Sequence, residues 1–245
     1  MNKPSIALPR MARVLSITAL VSLFSGALVG CGPSINAAAK ADIDRRVTDM
    51  KAPANTVPAP APSAFLPLPL AAGQWSQFKM VNDKSEPSFM TYKVLSEEGG
   101  AYWIEIVMDT YHGKTIEKML ANFGDRMDPS QVEIRAVSTK DAKGRVNTLP
   151  PEVMPMMQSL YKGAVSSMVI SWKGLPQEAA VSPAGKFGGC YKVHSKVQYG
   201  PWKSEADSWS HPAVPINGLV RSVGTDKKFE MELVAYGLSG ATSEF

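Results

Sequence analysis

Ala101-Tyr102-Trp103-Ile104-Glu105-Ile106-Val107-Met108-Asp109-Thr110 decides the fold. Tyr102, Ile104, Ile106 and Met108 alternate with Trp103, Glu105, Val107 and Asp109. In an extended chain that period of two sends the two sets to opposite sides, the pattern of a half-buried strand. Gly99-Gly100 stands immediately before it, and Ser88 to Glu97 reads as another extended run. Two glycines between two such runs supply the positive φ angles of a tight hairpin turn.

Outward from this hairpin the same period recurs. Gln74 to Met80 predicts a strand, and Val132 to Thr139 predicts another that ends at the turn signal Asp141 to Gly144. Gly113 to Asn122 is open, because Ile116, Met119 and Leu120 suit a strand or a helical turn. Downstream, Tyr191, Val193 and Val197 alternate with Lys192, His194 and Lys196. A turn at Gly200-Pro201, an extended run from Trp202 to Trp209, a short one from Gly218 to Val223, and the alternating Phe229, Met231, Leu233 and Ala235 follow. One helix is predicted over Pro151 to Met168. Its prolines fit only the first turn, and Met157, Leu160, Tyr161, Ala164, Val165 and Met168 make one apolar stripe. A lone amphipathic helix among strands must bury its stripe on the sheet. The expected architecture is mainly β with a minor α component: a curved antiparallel sheet or half-barrel with one amphipathic helix across its concave face. Residues 73–245 form a single domain, long enough for one hydrophobic core.

Residues 31–72 read as a tether. Ile43, Val47 and Met50 allow a short amphipathic helix over residues 32–50, expected to have no partner. Pro53, Pro58, Pro60, Pro62, Pro67 and Pro69 then predict a semi-rigid spacer unable to form helix or ladder.

Lys3, Arg10 and Arg13 lead into an apolar run from Val14 to Val29, shorter than the roughly 20 residues of a membrane-spanning helix. Residues 1–30 therefore read as a secretory signal. Leu28-Val29-Gly30-Cys31 resembles the lipobox of bacterial lipoproteins. The resemblance implies cleavage between Gly30 and Cys31, acylation of the Cys31 thiol, and a membrane as partner. Gly32, rather than Asp, after the cysteine resembles outer-membrane cargo of the enterobacterial sorting pattern, so the expected location is the outer membrane, facing the periplasm. The whole chain carries a formal charge of +4. Residues 31–245 keep 23 Lys and Arg against 22 Asp and Glu, so a basic nucleic-acid footprint is excluded. With Cys31 acylated, Cys190 has no partner for a disulfide.

Pro183-Ala184-Gly185-Lys186-Phe187, Cys190-Tyr191-Lys192-Val193, Trp209 and Val214-Pro215-Ile216-Asn217-Gly218-Leu219-Val220 look like the C-terminal half of the periplasmic lipoprotein-carrier (LolA/LolB-like) fold. That resemblance implies a half-barrel with a helical lid over an apolar concavity, and a cargo of lipoproteins or other greasy ligands.

Three candidates for chemistry stand out. Cys190 with His194 could form a thiol nucleophile and its base, although a lone cysteine among strands also suits a small buried hydrophobe. Asp207, Ser208, Ser210 and His211 hold the letters of a hydrolase triad without its spacing, and local turn bonding is the expected role of Asp207 and His211. The three histidines lack any zinc-type spacing, so neither metal nor cofactor is expected. The third candidate is apolar. Met157, Leu160 and Met168 on the helix, with Trp75, Trp103 and Trp209 on the sheet, could close a pocket for an apolar ligand; the simpler reading is that the same residues make the core. The expectation is a non-catalytic lipoprotein that binds an apolar ligand or an envelope lipoprotein, with a structural lipoprotein of filled core as the alternative and a Cys/His enzyme behind both.

Overall fold

The computed structural model describes residues 34–83, 86–124, 128, 131–158, 168, 171–199 and 202–245. They form the helix α1 (Ala37–Asp49), a short helical segment over residues 151–158, and twelve strands: β1 (Thr56–Val57), β2 (Trp75–Asn82), β3 (Ser88–Glu98), β4 (Ala101–Thr110), β5 (Gly113–Asn122), β6 (Glu133–Lys140), β7 (Val146–Thr148), β8 (Gln177–Ser182), β9 (Gly185–Tyr199), β10 (Trp202–Ser210), β11 (Leu219–Gly224) and β12 (Phe229–Gly237). All twelve belong to one sheet, ordered β1-β9-β10-β11-β12-β2-β3-β4-β5-β6-β7, with β8 also on β9. The path does not close, so the mainly β, open curved sheet expected from the alternation is the fold.

The deciding hairpin is β3–β4. Glu98 pairs with Ala101 across Gly99 and Gly100, whose φ angles are 55° and 74°. That is the two-residue turn whose twist matches the strands it joins. The open segment 113–122 is strand β5, paired with both β4 and β6.

Alternation assigns the two faces. Phe78, Met80, Met90, Tyr92, Ile104 and Met119 point to the concave side and lie in the main core. Ile216, Leu219 and Val220 pack into that core from the β10–β11 connection and the start of β11. Pro151 to Val153 forms a single 3-10 turn and helical residues follow to Gln158. Met154 from this segment and, further along the chain, Met168 are buried in the core. Gln158 reaches β6 where β7 does not pair with it, accepting from the Ile134 N–H at 3.1 Å and donating to the Ile134 carbonyl. Leu160 lies outside the described residues.

The tether reading is corrected at two points. α1 has a partner: Ile43 is 1% exposed and packs with Phe89 and Tyr111 on the outer face of the sheet. Asn36 caps the helix by accepting from the Ala38 and Ala39 N–H groups, both at 3.1 Å. The Asn36 N–H donates to the Tyr111 carbonyl at 2.8 Å, the Arg46 guanidinium lies 3.7 Å from the Phe89 ring centroid, and it pairs with Asp109 at 2.9 Å. Within the proline-rich stretch, Thr56 and Val57 make a short parallel ladder with Lys186 and Phe187. Prolines interrupt a ladder but leave the two residues between them free to pair. Residues 37–57 therefore belong to the folded body. Ile43→Ala is expected to cost about 2 to 4 kcal/mol in urea unfolding and to open α1 to limited proteolysis before the rest of the body; an unchanged cleavage pattern would refute the docking.

Beside α1, the C-terminus covers the outer face of β3 and β4. Lys93 Nζ donates to Glu105 at 3.2 Å, to Glu244 at 2.6 Å and to the Thr242 carbonyl at 2.9 Å. Glu105, fully buried, accepts in turn from Ser243 Oγ at 2.6 Å and from the Glu244 N–H at 2.9 Å. A charge pair buried on a sheet survives only with its hydrogen bonds filled, and the last residues of the chain fill them.

Candidate functional site

The concave face carries a polar row between apolar ones. Ser76 pairs with Tyr92, Tyr92 with Ile106, and Ile106 with Glu117, so these four side chains cross β2, β3, β4 and β5 in line. On one side lie Phe78, Met90 and Met108, and on the other Val94, Ile104 and Met119, all packed in the core. Ser76 and Tyr92 are fully buried and Glu117 is 9% exposed. Ser76 Oγ, Tyr92 Oη and Glu117 Oε1 have no hydrogen-bond partner among the described residues. Each such atom costs about 1–3 kcal/mol, so a row of them at the centre of an apolar face is an expense the core alone does not require. Burial pushes the Glu117 carboxyl up to about 7. Burial, and then the nearby Glu117 charge, raises the Tyr92 phenol, which therefore stays neutral.

The predicted apolar set divides. Met168 is buried in the core, Met157 is half-buried, and Trp209 packs at the core margin with its indole N–H donating to Glu178. Trp75 and Trp103 fall on the opposite, outer face, and Trp209, in register with Arg221 and Lys192, has the parity of that face too. Trp75 is in register with Lys93, and Trp103 has the parity of Glu105 and Asp109. Trp75 Nε1 donates to the Ser239 carbonyl at 3.2 Å, and Trp103 Nε1 to Glu98 at 2.8 Å. Gly30 and Cys31 lie outside the described residues.

Two clefts open elsewhere. One, of about 370 Å³, lies on the outer face between α1 and the C-terminus, lined by Arg46, Trp75, Lys93, Asp109, Lys114 and Glu244. The other, of about 320 Å³, is lined by Pro60, Pro62, Phe65, Leu175 and Tyr191 beside β8 and β9.

Neither sequence candidate for covalent chemistry assembles. Cys190 is fully buried in the core, its Sγ 3.7 Å from the Phe187 carbonyl, and burial pushes its thiol up to about 12. A thiol held that high is not a nucleophile near neutral pH. His194 is exposed and pairs with Asp207 at 2.7 Å. Ser208 donates to Ser222 at 2.8 Å. His211 does bond locally, as expected of a turn residue: its Nδ1 accepts from the Ala213 N–H at 3.1 Å, and its Nε2–H donates to the Pro58 carbonyl at 3.1 Å. That fixes a neutral ring, and burial lowers its pKa below 6.5. The unfolded chain binds a proton near pH 6.5 and the folded one resists it. Stability contributed at this site is therefore whole above that pH and declines as pH falls below it. His211→Gln is expected to flatten this acid limb in urea unfolding measured from pH 7.5 to 5; an unaltered limb would refute the assignment.

The fold is thus that of a mainly β body built on one open sheet. No known family and no curated protein matches the chain. Two solved structures align with 71% of it. One is a protein inferred to be exported, with a YmcC-like fold, from Bacteroides fragilis: 98% of that chain is covered, at 12% identity and a TM-score of 0.30. The other is a domain inferred to belong to an outer membrane lipoprotein-sorting protein of Vibrio parahaemolyticus, covered over 88%, at 9% identity and a TM-score of 0.29. Likeness at this level carries no functional argument.

Proposed function

We propose that this chain is a non-catalytic lipoprotein of the bacterial envelope, anchored through acylated Cys31 to the periplasmic side of the outer membrane, whose concave face receives an apolar ligand or the acyl part of an exported lipoprotein. The leader from Lys3 to Val29 and the Leu28-to-Cys31 motif support the anchor. The observation that carries the binding reading is the row of unpartnered polar atoms laid among core residues. A sheet selected only for packing gains by replacing such groups with apolar ones; a sheet that receives an amphiphile keeps them.

The alternative, a structural lipoprotein with a filled core, is favoured by the depth at which Met168 and Ile216 sit, both fully buried among the concave residues. One preparation tests both readings. The protein is purified from cells as processed, its intact mass is measured, and its organic extract is analysed by mass spectrometry. The expected result is a chain starting at an acylated Cys31 with a co-purifying amphiphile in near-stoichiometric amount. A chain retaining Met1 without acyl mass overturns the anchor, and an extract with no protein-dependent lipid favours the filled core.

A further inference from the structure

The chemistry of the polar row narrows the class of ligand. The three orphan atoms are oxygens able to accept a hydrogen bond, and one belongs to a carboxyl group. Glu117 and Tyr92 lie two strands apart on the same face, in line through Ile106, and the Glu117 charge helps to raise the Tyr92 phenol. Among the described residues no cation neutralises Glu117: burial is the whole cause of its perturbation, with no opposing ion pair. The sheet's buried cation, Lys93, faces the other way and is taken by Glu105 and Glu244. Above about pH 7, where Glu117 is ionised, a carboxylate ligand would place like charge against it. An alcohol would leave its charge uncompensated. A primary ammonium supplies three donors, no acceptor and the missing positive charge.

Resting on the binding reading above, we propose that the row formed by Ser76, Tyr92 and Glu117 seats the head of a cationic amphiphile, a primary ammonium on an alkyl chain. Glu117 pairs with the ammonium and the Tyr92 hydroxyl accepts a second N–H. The chain lies along the flanking apolar rows through Phe78 and Met90 or through Ile104 and Met119. Ser76, one strand beyond Tyr92, is left for a neutral polar group of the same ligand. Binding removes both the unpaired charge and the orphan acceptors at once, which is why a preference for ammonium over other heads follows.

The test uses the processed protein in lipid nanodiscs, with dodecylammonium, dodecanol and dodecanoate as probes and protein-free nanodiscs to subtract partitioning. Carboxyl 13C resonances of Glu117, assigned with Glu117→Gln, report the seat directly. The expected result is dodecylammonium binding roughly tenfold more tightly than the other two, with the Glu117 titration displaced to lower pH. In Glu117→Gln the preference is lost while dodecanol still binds. Tyr92→Phe, which keeps the buried ring, weakens dodecylammonium several-fold and serves if Glu117→Gln does not fold. Equal binding of all three probes, or a Glu117 titration untouched by dodecylammonium, overturns the seat and leaves the apolar reading standing. No binding of any probe above partitioning overturns both, and means the row is hydrated by ordered water alone.

Discussion

Gly218→Ala is expected to destabilise the protein by about 3 to 5 kcal/mol, enough to threaten folding of a domain of ordinary stability. Gly218 has φ +71°, and a Cβ added there would lie 2.5 Å from Cζ2 of Trp172 and 3.3 Å from the His211 carbonyl oxygen. Trp172 cannot give way. It is fully buried and stacks on Tyr191 with ring centroids 5.6 Å apart. Nor can the backbone shift easily, because the Gly218 carbonyl accepts from the His211 N–H at 2.7 Å, the bond that closes the loop between β10 and β11. Left-handed backbone adds roughly 1–2 kcal/mol for any residue with a Cβ. Urea unfolding measures the loss, and a double-mutant cycle with Trp172→Phe, which shrinks the ring, separates the collision from the backbone cost. A cost below about 1 kcal/mol for Gly218→Ala alone would show that the ring and glycine are not in contact.

The second large effect is set by pH. Glu117 holds its proton up to about 7 in the folded chain, whereas the unfolded chain releases it near 4.5. Between those values the folded state binds more protons, so stability falls as pH rises through the window and the loss is complete above pH 7. A difference of that size corresponds to about 3 kcal/mol. Glu117→Met removes the titration. It should match the parent near pH 4 and exceed it by about 3 kcal/mol at pH 8 in urea unfolding. The slope is opposite to that of His211, so the two single variants separate the limbs. Parallel pH profiles for parent and Glu117→Met would show that the carboxyl is solvated.

Much of this arrangement was legible in residue order, and the losses have physical causes. The β3–β4 hairpin was plain because alternation and a Gly-Gly turn agree. The faces of Trp75 and Trp103 were also written in the alternation: Trp103 shares parity with Glu105 and Asp109, not with Ile104, so a tryptophan set on the concave side was never consistent with the strand. β5 was ambiguous because that strand is buried on both of its sides. Ile116 and Leu120 face outward yet are buried, and their spacing with Met119 imitates a helix. The same ambiguity hid Glu117, which has the parity of Met119 and must point inward once the segment is a strand. The docking of α1 could not be read, since Phe89 and Tyr111 lie some 45 to 70 residues away from Ile43 and nothing local marks them as its partners. β1 was masked by its prolines.

The seating of α1 also sets the length of the leash. Asn36 is bonded to the Tyr111 carbonyl, five residues after Cys31, and five extended residues reach at most about 18 Å. With fatty chains on Cys31, the proline-rich stretch lies behind α1 and cannot act as a stalk. In the proposed lipoprotein the turn from Thr110 to Gly113 would ride against the lipid headgroups, and the body would lie on the bilayer surface instead of standing off from it.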